Sequence, residues 1–167
     1  MILRRVLFQP IGQSESDYKV NFVSSVLCPR NFDQYNIDGL DPRKEYGLWG
    51  MRINRYAKNS PEWNKLSPKD FVMFYFRGEV VAISQVAAKT RSASISKDVW
   101  NDNLWEFIYF VDPLKTKEVH LPWVYVVKMT KYKDSFVPMR GMLFAQTTQS
   151  FYEALSELLN INVDYFG

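Results

Sequence analysis

"DFVMFYFRGEVVAISQVAAK" (residues 70–89) holds two apolar runs, 71–76 and 80–88, on either side of Arg77-Gly78. Two β-prone runs split by a short Gly-containing break read as a hairpin. A strand with one wet face would alternate apolar and polar. These runs are apolar on both faces, so the hairpin is predicted to lie mid-sheet, covered on each side.

The neighbouring segments follow the same logic. "EYGLWGMRI" (45–53) reads as a strand before the hairpin. "SPEWNKLSP" (60–68) reads as a short helix, with Ser60 as cap and Pro61 in the first helical position. Residues 4–11 form a first strand that stops at Pro10 and Gly12. Residues 14–27 fit a helix with Tyr18, Phe22 and Val26 on one stripe, and residues 28–45 read as a long loop rich in Pro, Gly, Asn and Asp. Downstream, residues 90–103 are polar and irregular, with a turn of helix near 97–100. Strands are predicted at 104–111, 122–130 and 137–146, and a helix at 148–161 with Phe151, Leu155, Leu158 and Leu159 on one side. The predicted class is α+β: a small curved β-barrel of about six strands with short helices outside. One domain spans residues 1–167.

Composition narrows the function. One cysteine, Cys28, and one histidine, His120, leave no Cys/His zinc site and no disulfide framework within the chain. The glycines are scattered, so there is no phosphate-cradling loop. Acidic residues are dispersed without a nuclease-like spacing, so the chain reads as a binding domain rather than an enzyme, with no cofactor. No apolar run approaches a membrane span, and a cytoplasmic protein without a membrane partner is expected. Net charge is +3, which allows a nucleic-acid partner through a local patch.

Aromatic residues make up 16% of the chain, so the rings must either fill a core or line a stacking surface. Trp63, on the short helix, reads as packing. Trp105 reads slightly more as core than as surface. Trp100, in "SKDVWNDN", has few local apolar neighbours and reads as a lid or a ligand face. Trp49 ends its strand just before Arg52, Asn54, Arg55 and Lys58. Aromatic walls beside amide and cationic groups suit a flipped nucleobase, stacked on its faces and read at its edge. Arg52, Arg55, Lys58, Lys89 and Arg91 are the candidate phosphate contacts; composition alone favours ordinary solvated charges at these positions.

The stretch "YGLWGMRINRYAKNSPEWNKLSPKDFVMFYFRGEVVAISQVAAK", followed by "VWNDNLWEFIYFVDPL", resembles the EVE and YTH branches of the PUA-like superfamily. Within them it is most similar to the N-terminal DNA-recognition domains of McrB-type, modification-dependent restriction subunits. The resemblance implies a curved barrel that flips a modified base of double-stranded DNA into an aromatic cage, N6-methyladenine first and 5-methylcytosine second. RNA without modified-base readout is the alternative. By position, Trp49 matches one cage wall, and Trp100, or Trp105 in its place, the other. Gln9 and Pro10 match the edge-reading wall, although the family's Ser-Asn pair is absent there. Asn54 falls near the polar loop. The resemblance further implies a longer restriction protein that oligomerises through regions outside these residues, its motor driven by GTP or ATP.

Overall fold

The computed structural model describes residues 5–52, 61–138, 143–144 and 149–159. Asn54, Arg55 and Lys58 lie outside them. Eight strands form one sheet: β1 (Val6–Pro10), β2 (Arg30–Asn31), β3 (Glu45–Met51), β4 (Phe71–Phe76), β5 (Glu79–Arg91), β6 (Phe107–Val111), β7 (Lys117–Pro122) and β8 (Leu143–Phe144). The order is β2-β3-β6-β5-β4-β1-β8, with β7 also paired to β5. The helices are α1 (Pro61–Lys65), α2 (Ala93–Trp100), α3 (Trp123–Lys128) and α4 (Gln149–Leu159). A π-helical segment, Asp17–Val23, follows β1.

The hairpin is where the sequence puts it. β4 pairs with β5 antiparallel across Arg77-Gly78, and both turn residues have positive φ, 45° and 85°. That conformation matches the strand twist and calls for glycine in the second place. β1 joins the other side of β4 in parallel, Phe8 opposite Met73, so β4 is a central strand. β5 is long because it serves two neighbours in turn. Its first half pairs with β4 and β7, and its second half with β6.

Side chains sort by strand parity. Leu7 of β1, Val72 and Phe74 of β4, Tyr109 and Val111 of β6 and Trp49 of β3 point into one shared core. β1 and β3 are far apart in strand order yet share it, so the sheet curls around that core. The opposite faces are covered separately. Val6, Phe8, Phe71 and Met73 pack on Trp123, Val126 and Val127 of α3 and on Phe151 and Leu155 of α4. Leu48, Ile108 and Phe110 pack on Phe32 and on Ile95 of α2. The α+β class, the curved sheet and the short outer helices agree with the expectation. The curl stops short of a closed barrel, since β2 and β8 end the described sheet. The π segment bridges part of the gap: Phe22 lies 6.5 Å from Trp49 and 5.2 Å from Phe74, ring centre to ring centre.

Two expectations are corrected. The strand expected at 122–130 is helix α3, with β7 preceding it. Pro122 ends β7, and Trp123, Val126 and Val127 are buried while Val124 and Tyr125 are exposed, a helical period. The irregular segment at 90–103 is the end of β5 followed by two turns of α2, whose Ser92 side chain accepts a hydrogen bond from the Ile95 amide (3.2 Å). Of the strand expected at 137–146, residues 137–138 lie outside any strand and Leu143–Phe144 form β8.

Candidate functional site

Three elements end beside one another: β1 at Pro10, β3 at Met51 and α2 at Trp100. Between them lies an open cavity of about 330 Å³, within the range typical of small-molecule sites. Gln9, Pro10, Trp49, Arg52, Trp100 and Trp105 all border it, together with Asp17 and Asn21 of the π segment. Segments from four separate parts of the sequence therefore converge on one space.

Trp49 has two roles here. It is only 7% exposed and packs edge-on against Phe22 and Phe74, at 6.5 and 6.2 Å, so most of the ring is core. Its remaining edge borders the cavity. Trp100 arrives from the other face of β3. The six-membered part of its indole lies against Gly50, where a Cβ would sit 2.8 Å from Cη2 and Cζ3. The Trp105 carbonyl oxygen would lie 2.7 Å from the same Cβ, so any side chain at position 50 must displace both Trp100 and the backbone at Trp105. Trp105 precedes β6 and is half-buried, with the Arg52 guanidinium 5.3 Å from its ring centre. Among the described residues no ring contact joins any two of these three tryptophans, and all three border the cavity.

The loop that carries Trp105 is pinned from inside. The fully buried Ser96 hydroxyl donates to the Asp102 carbonyl and accepts from the Trp105 amide (3.0 Å). Arg52 is held loosely, 3.9 Å from the Asp102 carboxylate with both side chains substantially exposed. Such a pair contributes little and leaves the guanidinium available to an anion.

Polar groups face the rings from the opposite wall. Gln9 is buried; its Oε1 accepts from the Tyr109 hydroxyl (3.1 Å) and its Nε2 donates to the Pro10 carbonyl (3.0 Å). That leaves one amide N–H for a ligand. Burial pushes the Tyr109 hydroxyl well above its usual pKa, so it stays a donor. Replacing Tyr109 by Phe removes the donor and leaves a buried carbonyl oxygen unsatisfied. The expected cost is about 1–3 kcal/mol, read from urea unfolding, and an unchanged midpoint would show that Gln9 finds another partner.

Asp17 takes the Ser14 and Gln13 amides on Oδ2 (3.0 and 3.1 Å). The Ser14 amide is the largest influence lowering its pKa, so it is ionised at neutral pH. The Ser14 side chain lowers it further, and the Asn21 side chain has no partner among the described residues. Neither Asp17 nor Asn21 stood out in the sequence as a site residue. Their i, i+4 spacing, which places both on one helix face, was the available signal.

Lys89 and Arg91 sit elsewhere. Lys89 donates to the Trp63 and Asn64 carbonyls (2.9 and 2.8 Å), and desolvation lowers its pKa. Arg91 pairs with Glu106 (2.6 Å) and covers Phe107. Neither borders the cavity. Among the described residues no group of three or more His, Cys, Asp or Glu could hold a metal ion. No described helix is long and apolar enough to cross a membrane.

No family model matches the sequence, and no curated protein matches it either. Among solved structures, the chain is similar to the N-terminal domain of Thermococcus gammatolerans McrB bound to m5C DNA. The TM-score is 0.61 at 15% identity, covering 94% of this chain and 98% of that one. The chain thus has the fold of that domain, the kind of domain its sequence resembles.

Proposed function

We propose that this domain binds double-stranded DNA and accepts one methylated base, turned out of the duplex, in the cavity between β1, β3 and α2. It does so without catalysis, as the recognition part of a restriction assembly. The carrying observation is the convergence of Trp49, Trp100 and Trp105 with Gln9, Asp17 and Asn21 around one open space of nucleobase-compatible size. A similar fold bound to m5C DNA supports the same reading.

In this reading the Trp100 and Trp105 indoles give the base its stacking faces, and the exposed edge of Trp49 with Pro10 closes the apolar side. Stacking is worth about 1–3 kcal/mol per base, enough to offset an unstacking cost of a few kcal/mol. Asp17, ionised, accepts from an exocyclic amine. Both 5-methylcytosine and N6-methyladenine retain such an N–H, and thymine does not. Gln9 and Asn21 supply the complementary donors. Arg52 at the mouth holds a phosphate, with Arg55 and Lys58 following it in sequence. Lys89 and Arg91, already engaged, are left out of the contact set. The methyl itself adds about 0.8 kcal/mol on burial, so selectivity from one site is modest and rises with assembly.

The test is a titration of matched duplexes, unmodified, 5-methylcytosine and N6-methyladenine, at one salt concentration, with an RNA duplex alongside. A 2-aminopurine at the target reports extrusion. About threefold to fivefold preference for one methylated DNA, with a rise in 2-aminopurine fluorescence, is expected. Equal affinity for all three DNAs with no fluorescence change would sink the proposal, and tighter binding to RNA would redirect it to an RNA module.

A further inference from the structure

A hydrogen bond crosses the inside of the curled sheet, from the Tyr109 hydroxyl of β6 to Gln9 Oε1 of β1 (3.1 Å). Both side chains are buried, and 100 positions separate them in sequence. Tyr109 lies opposite Trp49 in the β3–β6 ladder and does not itself border the cavity, whereas Gln9 does. We infer that Tyr109 is a positioning residue that sets which bases the cavity takes. By holding Gln9 as a fixed hydrogen-bond donor, it admits bases with an amino group beside a bare ring nitrogen, as in cytosine and adenine. It turns away bases with a carbonyl beside a ring N–H, as in thymine and hypoxanthine. The inference rests on the base-flipping reading of the cavity.

A glutamine amide carries one acceptor oxygen and two N–H donors, and its shape alone does not decide which end faces a ligand. Here both ends are fixed. The Pro10 carbonyl can only accept, so the end of the amide 3.0 Å from it is the nitrogen. The other end is then the oxygen, which the Tyr109 hydroxyl holds. Burial pushes the Tyr109 pKa well up, so that hydroxyl keeps its proton. Gln9 is left with one N–H, which can only donate. Asp17, ionised, can only accept. The Asn21 amide has no partner among the described residues, so it can turn to suit either kind of edge and discriminates little.

A fixed donor and a fixed acceptor fit one edge and repel its opposite. Cytosine offers an N4 amine and a bare N3; thymine offers O4 and N3–H on the same ring. Against thymine the Gln9 N–H meets an N–H and the Asp17 carboxylate meets a carbonyl. A site of this kind rejects the wrong base because its own buried groups are left unpaired. Without the Tyr109 hydroxyl, the Gln9 oxygen is a buried acceptor that lacks a donor. Turned to the cavity, it can take the N3–H of thymine. Loss of the hydroxyl therefore favours thymine relative to 5-methylcytosine, whereas mere loosening of the core would weaken both alike.

The experiment compares bases that differ at this edge alone. Duplexes carry 5-methylcytosine or thymine, and adenine or hypoxanthine, each opposite an abasic tetrahydrofuran, so no base gives up a partner on leaving the stack. Affinities are measured for the wild-type domain, Tyr109→Phe, Gln9→Met and the double variant. The wild type is expected to favour the amino base about tenfold or more in the pair that shares its ring with the preferred methylated base. Tyr109→Phe is expected to cut that ratio about threefold or more, Gln9→Met to cut it at least as far, and the double variant to go no further than Gln9→Met. A wild-type ratio within twofold in both pairs overturns the inference. So does a Tyr109→Phe variant that weakens both members equally, or a Gln9→Met variant that leaves the ratio intact. Proton NMR of the free wild-type domain gives a test that needs no variant to fold. A slowly exchanging Tyr109 hydroxyl proton is expected, and a freely exchanging one overturns the inference. If methylated and unmethylated duplexes bind alike without extrusion, the base-flipping reading falls and this inference with it. A methyl preference with amino and carbonyl bases bound alike removes only the inference.

Discussion

Replacing Trp49 by alanine is expected to lower the thermal unfolding midpoint by about 6–20 °C. The ring is 7% exposed and wedged between Phe22 of the π segment and Phe74 of β4. Removing a buried Trp costs about 3–5 kcal/mol, and a domain of this length shifts by roughly 2–4 °C per kcal/mol. Circular dichroism melts would check it. A shift under about 3 °C would mean that the ring serves the cavity more than the core. The size of the effect also limits the variant's use, because DNA binding lost in Trp49→Ala could reflect unfolding alone.

Trp100 separates the two roles. It ends α2, is half-buried, and lies over the Gly50 backbone at the cavity's edge. Trp100→Ala is expected to weaken binding of the preferred methylated duplex by about 10- to 100-fold, the range of one lost stacking face, and to move the melting midpoint little. Gly50→Ala should weaken binding in the same direction and lower the melting midpoint as well, because its methyl meets the Trp105 carbonyl along with the indole. Fluorescence anisotropy with methylated and unmethylated duplexes reads both. Equal proportional losses for the two duplexes would remove Trp100 from base recognition.

Much of this was legible in the chain, and the reasons differ by element. The hairpin was plain because its two runs are apolar on both faces and its turn carries Gly78. The closing helix was plain because Phe151 and Leu155 recur at helical spacing, and both are buried against β1 and β4. The segment "PWVYVVKMT" was read as a strand because valines favour strands. Its helical period, Trp123, Val126 and Val127, was present but outweighed by propensity, and only packing on Phe8 and Tyr75 decides it. Among the tryptophans of the site, Trp100 stood out as a ring with few local apolar neighbours and Trp49 by the cations and amide that follow it. What brings them together did not: Gly50 as the seat of Trp100, Ser96 as the pin of the Trp105 loop, and Asp17 with Asn21 opposite. Those depend on contacts between distant segments, which a linear pattern does not record.

The parallel pairing of β1 with β4 joins Val6 to Phe71, across 65 positions, whereas the β4–β5 hairpin closes over two residues. The entropy of closing so long a loop must be met before that pairing returns anything. β1 brings Gln9 and Pro10, so part of the cavity's wall is supplied by a strand whose partners all lie far away in sequence. Occupancy and folding are therefore linked by mass action: whatever fills the cavity draws the N-terminal strand into the sheet, and whatever loosens that strand dissolves the site while the hairpin stands.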